Sequence, residues 1–142
     1  MNYFDMKLLA TSKNEAFARN VVASFAIECS PTLEEINDIK TAVSEAVTNV
    51  VVHAYDSDES GIMQIECRVD KQNRTIEIVV RDFGKGIADV KEAIEPFFTT
   101  AASDERSGMG FTIIETFMDE MDVTSVIGEG TVVRMKKVIK EC

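Results

Sequence analysis

Glu45 and Asn49 are two polar residues, four positions apart, that could take part in metal-dependent chemistry. In an α-helix this spacing places both side chains on one face, one turn apart. A carboxylate can act as a base, and both groups offer hard oxygen ligands of the kind that magnesium prefers. On spacing alone, the pair is also what an exposed polar helix surface would show. Asn49, however, lies in an apolar stretch, where a buried carboxamide needs a partner, so we expect a wet cavity or a metal beside the pair.

The sequence Asp82-Phe-Gly-Lys-Gly86 ends a segment with strand-like alternation. Asp82 has the same parity as the apolar residues Ile78 and Val80, so alternation points its carboxylate inward. An aspartate that only caps its own turn would look similar. With glycines at Gly84 and Gly86, we favour an acceptor for an N–H donor of a ligand, at a place where backbone must approach closely.

The sequence Ser107-Gly-Met-Gly110 directly precedes a stretch with helical periodicity. Glycines let a backbone approach an anion, and a helix start offers free N–H groups and the positive end of the helix dipole. An ordinary loop-to-helix junction has the same appearance, because a single Gly-x-Gly is a weak signal. The sequence has neither a Gly-x-x-x-x-Gly-Lys-Ser/Thr motif nor the dinucleotide-binding glycine motif after a strand, which disfavours P-loop and Rossmann nucleotide binding.

The periodicity of the apolar residues predicts the elements that must position these groups. Strands are expected over residues 3–11, 61–70, 75–82, 122–127 and 131–138, and helices over 12–28, 32–55, 89–95 and 110–118. Capping boxes at Ser12–Glu15 and Thr32–Glu35 begin the first two helices. Adjacent hairpins imply a mixed, mostly antiparallel sheet, and helices on one of its faces give an α+β fold, a two-layer α/β sandwich. We expect the whole chain, 1–142, to form a single domain.

Side-chain spacing also predicts which surfaces are covered. In the first helix Phe17, Val21 and Phe25 form the apolar stripe, and Arg19 falls on the opposite side, free to meet a partner. The pair Lys136-Lys137 is interpreted as a solvated strand end.

Composition limits the kinds of partner. Of the 142 residues, 45% are hydrophobic and 28% are charged, which is ordinary for a globular domain. The formal net charge of −10 disfavours a broad grip on a phosphate backbone, so we expect protein partners rather than nucleic acid. Apolar runs stay well short of the ~18 residues of a membrane span and no signal peptide is recognisable, so no membrane association is expected. The three cysteines are far apart and fit a reducing cytoplasm.

The order of the chemical motifs is more specific than any one of them. A Glu-x-x-x-Asn helix, then Asp-x-Gly-x-Gly after a strand, then Gly-x-Gly at a helix start, then Gly130-Thr131, resembles the GHKL ATPase superfamily over residues 32–133. The resemblance implies that Glu45 is the general base, Asn49 a magnesium ligand, Asp82 the acceptor of the adenine amino group and Thr131 its helper. It also implies that ATP and Mg²⁺ are the cofactors and that residues 96–107 form the ATP lid. The further nucleotide-binding residues implied are Gly84, Gly86, Thr99, Arg106, Ser107, Gly108 and Gly110.

Within that superfamily the chain is similar to the small anti-sigma factor serine kinases. Three segments carry this resemblance: Asn49-Val-Val-Val-His-Ala-Tyr55, Pro96-Phe-Phe-Thr-Thr100 and Glu105-Arg-Ser-Gly-Met-Gly-Phe-Thr-Ile113. They look more like the sporulation (sigma F) type than the stress-response (sigma B) type. The resemblance implies a cytoplasmic homodimer that inhibits a sigma F type factor and, as a serine-protein kinase, phosphorylates its anti-anti-sigma antagonist. Arg19 matches the arginine that meets both partners.

Two other functions remain open from the sequence. A pure binding module would hold ATP only as a structural ligand, but it would have no need of Glu45. A detached histidine-kinase ATPase domain would usually lack a glutamate there and would act with a phosphoacceptor helix. The only histidine of this chain, His53, lies inside the nucleotide-domain helix.

Overall fold

The computed structural model of the chain describes residues 1–56, 58–94 and 110–140. The strands are β1 (Asn2–Leu9), β2 (Ile62–Asp70), β3 (Thr75–Asp82), β4 (Glu120–Val126) and β5 (Gly130–Val138). The helices are α1 (Ser12–Ala26), α2 (Leu33–Asn49), α3 (Val90–Ile94) and α4 (Gly110–Phe117), with a π-helical turn at Val50–Ala54 directly after α2. Every predicted element exists, and most of the bounds differ from prediction by only a few residues. The exception is the end of the long helix, whose last turn widens into the π-turn.

The strands form one sheet in the order β1-β2-β3-β5-β4. All four pairings are antiparallel, so the sheet is not mixed as predicted but wholly antiparallel. Alternate residues of β2 and β3 are buried, beginning with Met63 and Ile76, and the helices cover this one face. The α+β sandwich is therefore confirmed, and the alternation of each strand decides which side chains face the helices.

The capping box at the start of α2 is confirmed. The Thr32 N–H donates to the Glu35 carboxylate at 2.9 Å, and the Glu35 N–H donates to the Thr32 hydroxyl at 3.1 Å. The second Glu35 oxygen accepts from the N–H of Lys140 at 3.0 Å, just beyond β5. Burial raises the pKa of Glu35, but these hydrogen bonds outweigh it, and the net pKa is lowered. The start of α2 is thus tied to the end of the chain's last strand.

The capping box predicted at Ser12–Glu15 is wrong. Thr11 is the N-cap of α1, and its hydroxyl accepts from the N–H of Asn14 at 3.2 Å. The Glu15 carboxylate is instead bound by Arg19, one turn later in α1, and by the hydroxyl of Ser44 in α2. Glu15 therefore joins the two helices rather than capping one of them.

The apolar stripe predicted for α1 is displaced by one residue. Phe17 is 51% exposed, whereas Ala18, Val22 and Ala26 are fully buried. Small side chains at the contact let α1 lie close against α2, which turns the larger neighbouring residue outward. The exposed ring of Phe17 is the consequence.

Lys137 is not solvated, in contrast to its predicted place at a solvated strand end. It has the parity of the buried residues Val133 and Met135 and is itself buried. Its ammonium group donates to the carbonyl of Phe117 at 2.6 Å and lies 3.4 Å from the carboxylate of Asp38. Lys137 thereby fastens the C-terminal end of α4 to α2 and β5. In residues 1–56, 58–94 and 110–140 no helix combines the length and apolar character that a membrane crossing requires.

Candidate nucleotide-binding site

Four of the predicted site residues, Asn49, Asp82, Gly86 and Thr131, line a cavity of about 410 Å³ on the helical side of the sheet. Its walls come from the end of α2, the segment after β3, the first turn of α4 and the start of β5. Most of the lining is apolar, and the polar groups are few, among them Asn49, Asp82 and Thr131. A concave, mainly apolar pocket with a few convergent polar groups is typical of a small-molecule site.

Asp82 is the buried acid of this cavity, with 5% of its surface exposed. Its Oδ1 accepts two backbone hydrogen bonds, from Gly84 at 3.0 Å and from Thr131 at 3.1 Å. Both bonds go to the same oxygen, and no donor from the described residues reaches Oδ2. Burial raises the pKa of Asp82, while the two N–H groups act in the opposite direction. The inward orientation predicted from strand parity is confirmed, and one oxygen remains to accept from a ligand.

The glycines after Asp82 make room for the chain's own backbone. A Cβ on Gly84 would lie 2.2 Å from the carbonyl oxygen of Ala54, at the end of the π-turn. Gly86 has a φ of +79°, and a Cβ there would lie 2.5 Å from the carbonyl oxygen of Val126. The close approach expected at these glycines is therefore between segments of the protein. It places the 83–87 segment between the π-turn and β4.

Asn49 lines the cavity at the last residue of α2 and is half-buried. Its carboxamide has no hydrogen-bond partner among the described residues. Gly110 starts α4 beside it, and a Cβ on Gly110 would lie 3.0 Å from both Oδ1 and Nδ2 of Asn49. The structure thus brings together the end of α2 and the start of α4.

Glu45 lies one turn before Asn49 in α2 and is half-buried. It is not among the described residues that line the cavity. Within the described ranges, no three His, Cys, Asp or Glu side chains cluster as a metal site would require. A metal held here would need further ligands from a bound molecule.

Four predicted site residues, Thr99, Arg106, Ser107 and Gly108, lie outside the described residues, as does the whole 96–107 segment. Arg19 lies apart from the cavity on α1, where its guanidinium binds both oxygens of Glu15 at 3.0 and 3.1 Å. Its side chain is 39% exposed, and the ion pair with Glu15 holds it in place, so a contact between Arg19 and a partner stays a prediction.

Three residues with roles at the site were missed from the sequence. The Tyr55 hydroxyl donates to the carbonyl of Ile62 at 2.6 Å and accepts from the N–H of Phe83 at 2.8 Å, which positions the residue after Asp82. Lys85 lines the cavity and pairs with Asp56 at 2.9 Å. Ser125, on β4, lies 2.8 Å from the hydroxyl of Thr131. Strand parity alone would have pointed Ser125 inward, whereas nothing local indicated the partners of Tyr55.

Comparisons with known proteins identify the family of the chain. The family described as histidine kinase-like ATPase domain matches residues 8–137. An anti-sigma F factor from Caldanaerobacter subterraneus subsp. tengcongensis is 54% identical over 138 residues, which cover 97% of this chain and 94% of that relative. Anti-sigma F factors from Clostridium novyi and Anoxybacillus flavithermus are 50% and 48% identical, over 98% and 96% of this chain and 96% and 92% of their own lengths.

A solved structure supports the fold alone. The RsbU and RsbW domains of a Mycobacterium tuberculosis protein superpose with a TM-score of 0.70 at 20% identity, covering 98% of this chain and 32% of that one. The family match and the near full-length identities both extend across α2, the Asp82 segment and β5. The chain therefore belongs to the histidine kinase-like ATPase domain family and, within it, to the anti-sigma F factors.

Proposed function

We propose that this protein is an anti-sigma factor of the sigma F type that is also an ATP-dependent serine-protein kinase. It binds and inhibits a sporulation sigma factor, and it phosphorylates and inactivates the anti-anti-sigma protein that antagonises it. The observation that carries the nucleotide part is Asp82, whose Oδ1 is saturated by two N–H groups while Oδ2 stays available at the cavity. The names of the relatives, which share about half of this sequence, support the sigma-factor part.

The cavity suits an adenine nucleotide. About 410 Å³ falls in the range of roughly 300–1,000 Å³ that is usual for small-molecule pockets. Asp82 would accept from the exocyclic amino group of adenine, with Thr131 beside it. Asn49 lines the cavity and Gly110 lies directly beside Asn49, where phosphates would be held. The residues 1–142 would then act as one ATP-binding kinase domain, with Thr99, Arg106, Ser107 and Gly108 completing the phosphate end.

Mg²⁺ fits the donor set through the amide oxygen of Asn49, because hard cations prefer oxygen ligands and usually keep substrate phosphates and waters as well. Bound Mg²⁺ would neutralise charge on the phosphates. Glu45, one turn earlier, would hold the serine hydroxyl of the partner in line and take its proton. The serine oxygen then forms its bond to the terminal phosphorus as the bond to the ADP oxygen breaks.

The partner surfaces are proposed from different features. Arg19 is partly exposed on α1, and its pairing with Glu15 fixes the direction of its guanidinium, as suits a contact with sigma or with the antagonist. A homodimer would cover apolar side chains that are left exposed on the uncovered face of the sheet, such as the directly paired Leu9 and Ile62. A chain that captures a sigma factor works in the cytoplasm, where transcription takes place.

Phosphotransfer from labelled ATP tests the proposal directly. The protein is incubated with Mg²⁺, labelled ATP and a purified anti-anti-sigma protein from a related spore former, and the phosphoresidue is then identified. We expect acid-stable phosphoserine on the antagonist and none when magnesium is chelated. Acid-labile phosphohistidine would instead indicate a histidine-kinase-like activity, and nucleotide binding without transfer to the antagonist would indicate a pure binding module.

A further inference from the structure

Ser125 is the polar residue on the inward face of β4, and its hydroxyl has three hydrogen-bond partners at the candidate site. It has the inward parity of Met121 and Val123, and it lies opposite Thr131 in the register of β4 and β5. Its hydroxyl accepts from the N–H of Ile87 at 2.7 Å. It also lies 3.0 Å from the carbonyl oxygen of Gly130 and 2.8 Å from the hydroxyl of Thr131. Ser125 therefore links the segment after Asp82 to the start of β5.

A count of protons fixes the direction of each of these hydrogen bonds. A serine hydroxyl has one proton to donate and two lone pairs to accept with. The carbonyl of Gly130 can only accept, so it takes the Ser125 proton. The N–H of Ile87 can only donate, so it takes one lone pair. The remaining lone pair accepts the Thr131 proton, which leaves Thr131 with lone pairs alone for the cavity.

This arrangement gives the Asp82 end of the cavity a single polarity. The Asp82 carboxylate accepts, and Thr131, with its proton committed to Ser125, also accepts. A ligand that places an amino group against these two acceptors is matched there, whereas a carbonyl oxygen in the same place would face only acceptors and lose its hydrogen bonds with water. An acceptor atom of the ligand could face Thr131 only through a water molecule that donates to both.

We propose that Ser125 is a positioning residue that sets purine selectivity, by holding the Thr131 proton away from the cavity. The inference rests on the proposed nucleotide binding and adds to it. An amino purine, as in ATP, is accepted, and a 6-oxo purine, as in ITP, is rejected. Without Ser125 the Thr131 hydroxyl can rotate and donate to the oxo group, so the rejection weakens.

The experiment compares the dissociation constants of ATP and ITP by calorimetry for the wild type and three variants. Ser125→Ala removes the acceptor, and Ser125→Thr keeps it. Thr124→Ala is the matched control, because Thr124 is the exposed neighbour on the same strand. We expect the ITP-to-ATP ratio of dissociation constants to fall by about tenfold in Ser125→Ala, the size expected for one hydrogen bond. The ratio should be retained in Ser125→Thr and in Thr124→Ala.

The ratio separates positioning from general damage, because a looser site would weaken ATP and ITP alike. An unchanged ratio in Ser125→Ala overturns the inference, as does a wild type that binds ITP as tightly as ATP. If Ser125→Ala does not fold, Ser125→Cys replaces the hydroxyl with a weaker acceptor and should lower the ratio in the same direction. A wild type that binds neither nucleotide would overturn the proposed nucleotide binding itself. A preference for ATP over ITP that is unchanged in both Ser125→Ala and Ser125→Cys would overturn only the role of Ser125.

Discussion

Gly110 lies directly against the side chain of Asn49, so that a Cβ on Gly110 would come within 3.0 Å of both polar atoms of the Asn49 carboxamide. The glycine begins α4 and the asparagine ends α2. A methyl group there would push the carboxamide by a few tenths of an ångström, so glycine leaves it room to turn toward the cavity. The contact therefore couples the position of α4 to the orientation of the proposed magnesium ligand.

Gly110→Ala should lower phosphotransfer without unfolding the protein. Alanine is the better helix former by about 1 kcal/mol, so α4 itself is not weakened. The new methyl group would displace the Asn49 carboxamide by a few tenths of an ångström. Since a misplacement of about 1 Å can cost about a hundredfold in rate, we expect a loss of up to about tenfold. Initial rates of transfer to the antagonist, together with thermal unfolding, measure the two effects.

Gly128→Ala is the control: its φ of +79° makes alanine strained, but no atom lies within 4 Å of the new Cβ. It should lower stability and leave the rate unchanged.

Asp82→Asn should weaken the binding of adenine nucleotides severely while the fold is kept. The asparagine oxygen can still accept from Gly84 and Thr131, but an NH₂ group then replaces Oδ2 and opposes the amino group of adenine. Loss of a hydrogen bond to a charged group weakens binding by roughly a hundredfold. Calorimetry with ATP decides the matter, and near-normal affinity would remove Asp82 from base recognition.

The same substitution should change how the stability of the ligand-free protein depends on pH. Burial raises the pKa of Asp82 above its ordinary value of 3.8, so ionisation of this group costs folding free energy. Protonated Asp82 therefore favours the folded state below pH 3.8, and this contribution to the free energy of unfolding is lost as the pH rises through the folded-state pKa. Urea unfolding across this range should show a smaller fall of stability with pH in Asp82→Asn than in the wild type. Equal slopes would contradict the assigned burial.

Glu45→Gln should separate catalysis from binding. General-base help is worth about 10²–10⁴-fold in rate, so transfer to the antagonist should slow at least a hundredfold. ATP affinity and capture of the sigma factor should persist, because Glu45 is not among the described residues that line the cavity. All three quantities are measured on one preparation. A parallel loss of all three would make Glu45 a structural residue, and an unchanged rate would place the base elsewhere.

Arg19→Glu should weaken the binding of sigma and of the antagonist while ATP affinity is retained. The substitution reverses the charge at an exposed guanidinium and places a second carboxylate beside Glu15. Lys13→Glu makes the same charge reversal on the same helix, at an exposed residue, and is the matched control. Surface-plasmon measurements with both partners should show a loss of at least about tenfold for Arg19→Glu and little change for Lys13→Glu. Equal effects of the two would indicate general electrostatics rather than a specific contact.

The sheet side of the site could be predicted well, because strand alternation has only two outcomes. The parity that buried Ile76, Ile78 and Val80 also placed Asp82 inward, and the structure agrees. Strand alternation in β5 also places Lys137 inward, although its charge favours a solvated position. Its partners, Asp38 and the Phe117 carbonyl, come from distant parts of the chain and leave no local signal.

The helical side was less predictable for a physical reason. In α1 both Phe17, Val21, Phe25 and Ala18, Val22, Ala26 have helical spacing, and the choice between them depends on how closely α2 approaches. Leu33 continues the apolar stripe of α2 but is 77% exposed, since it lies in the first turn of the helix. Periodicity predicts that a stripe exists, whereas the packing partner decides which one is buried.

The order of the sheet also affects how the protein folds. Asp82 and Thr131 are 49 positions apart, and they meet because β3 pairs with β5 rather than with β4. Closing so long a loop is entropically costly, so this pairing is expected to be slow relative to the local hairpins β2–β3 and β4–β5. A nucleotide that contacts both Asp82 of β3 and Thr131 of β5 would bind only chains in which the two hairpins have already joined. It would therefore slow unfolding more than it speeds folding.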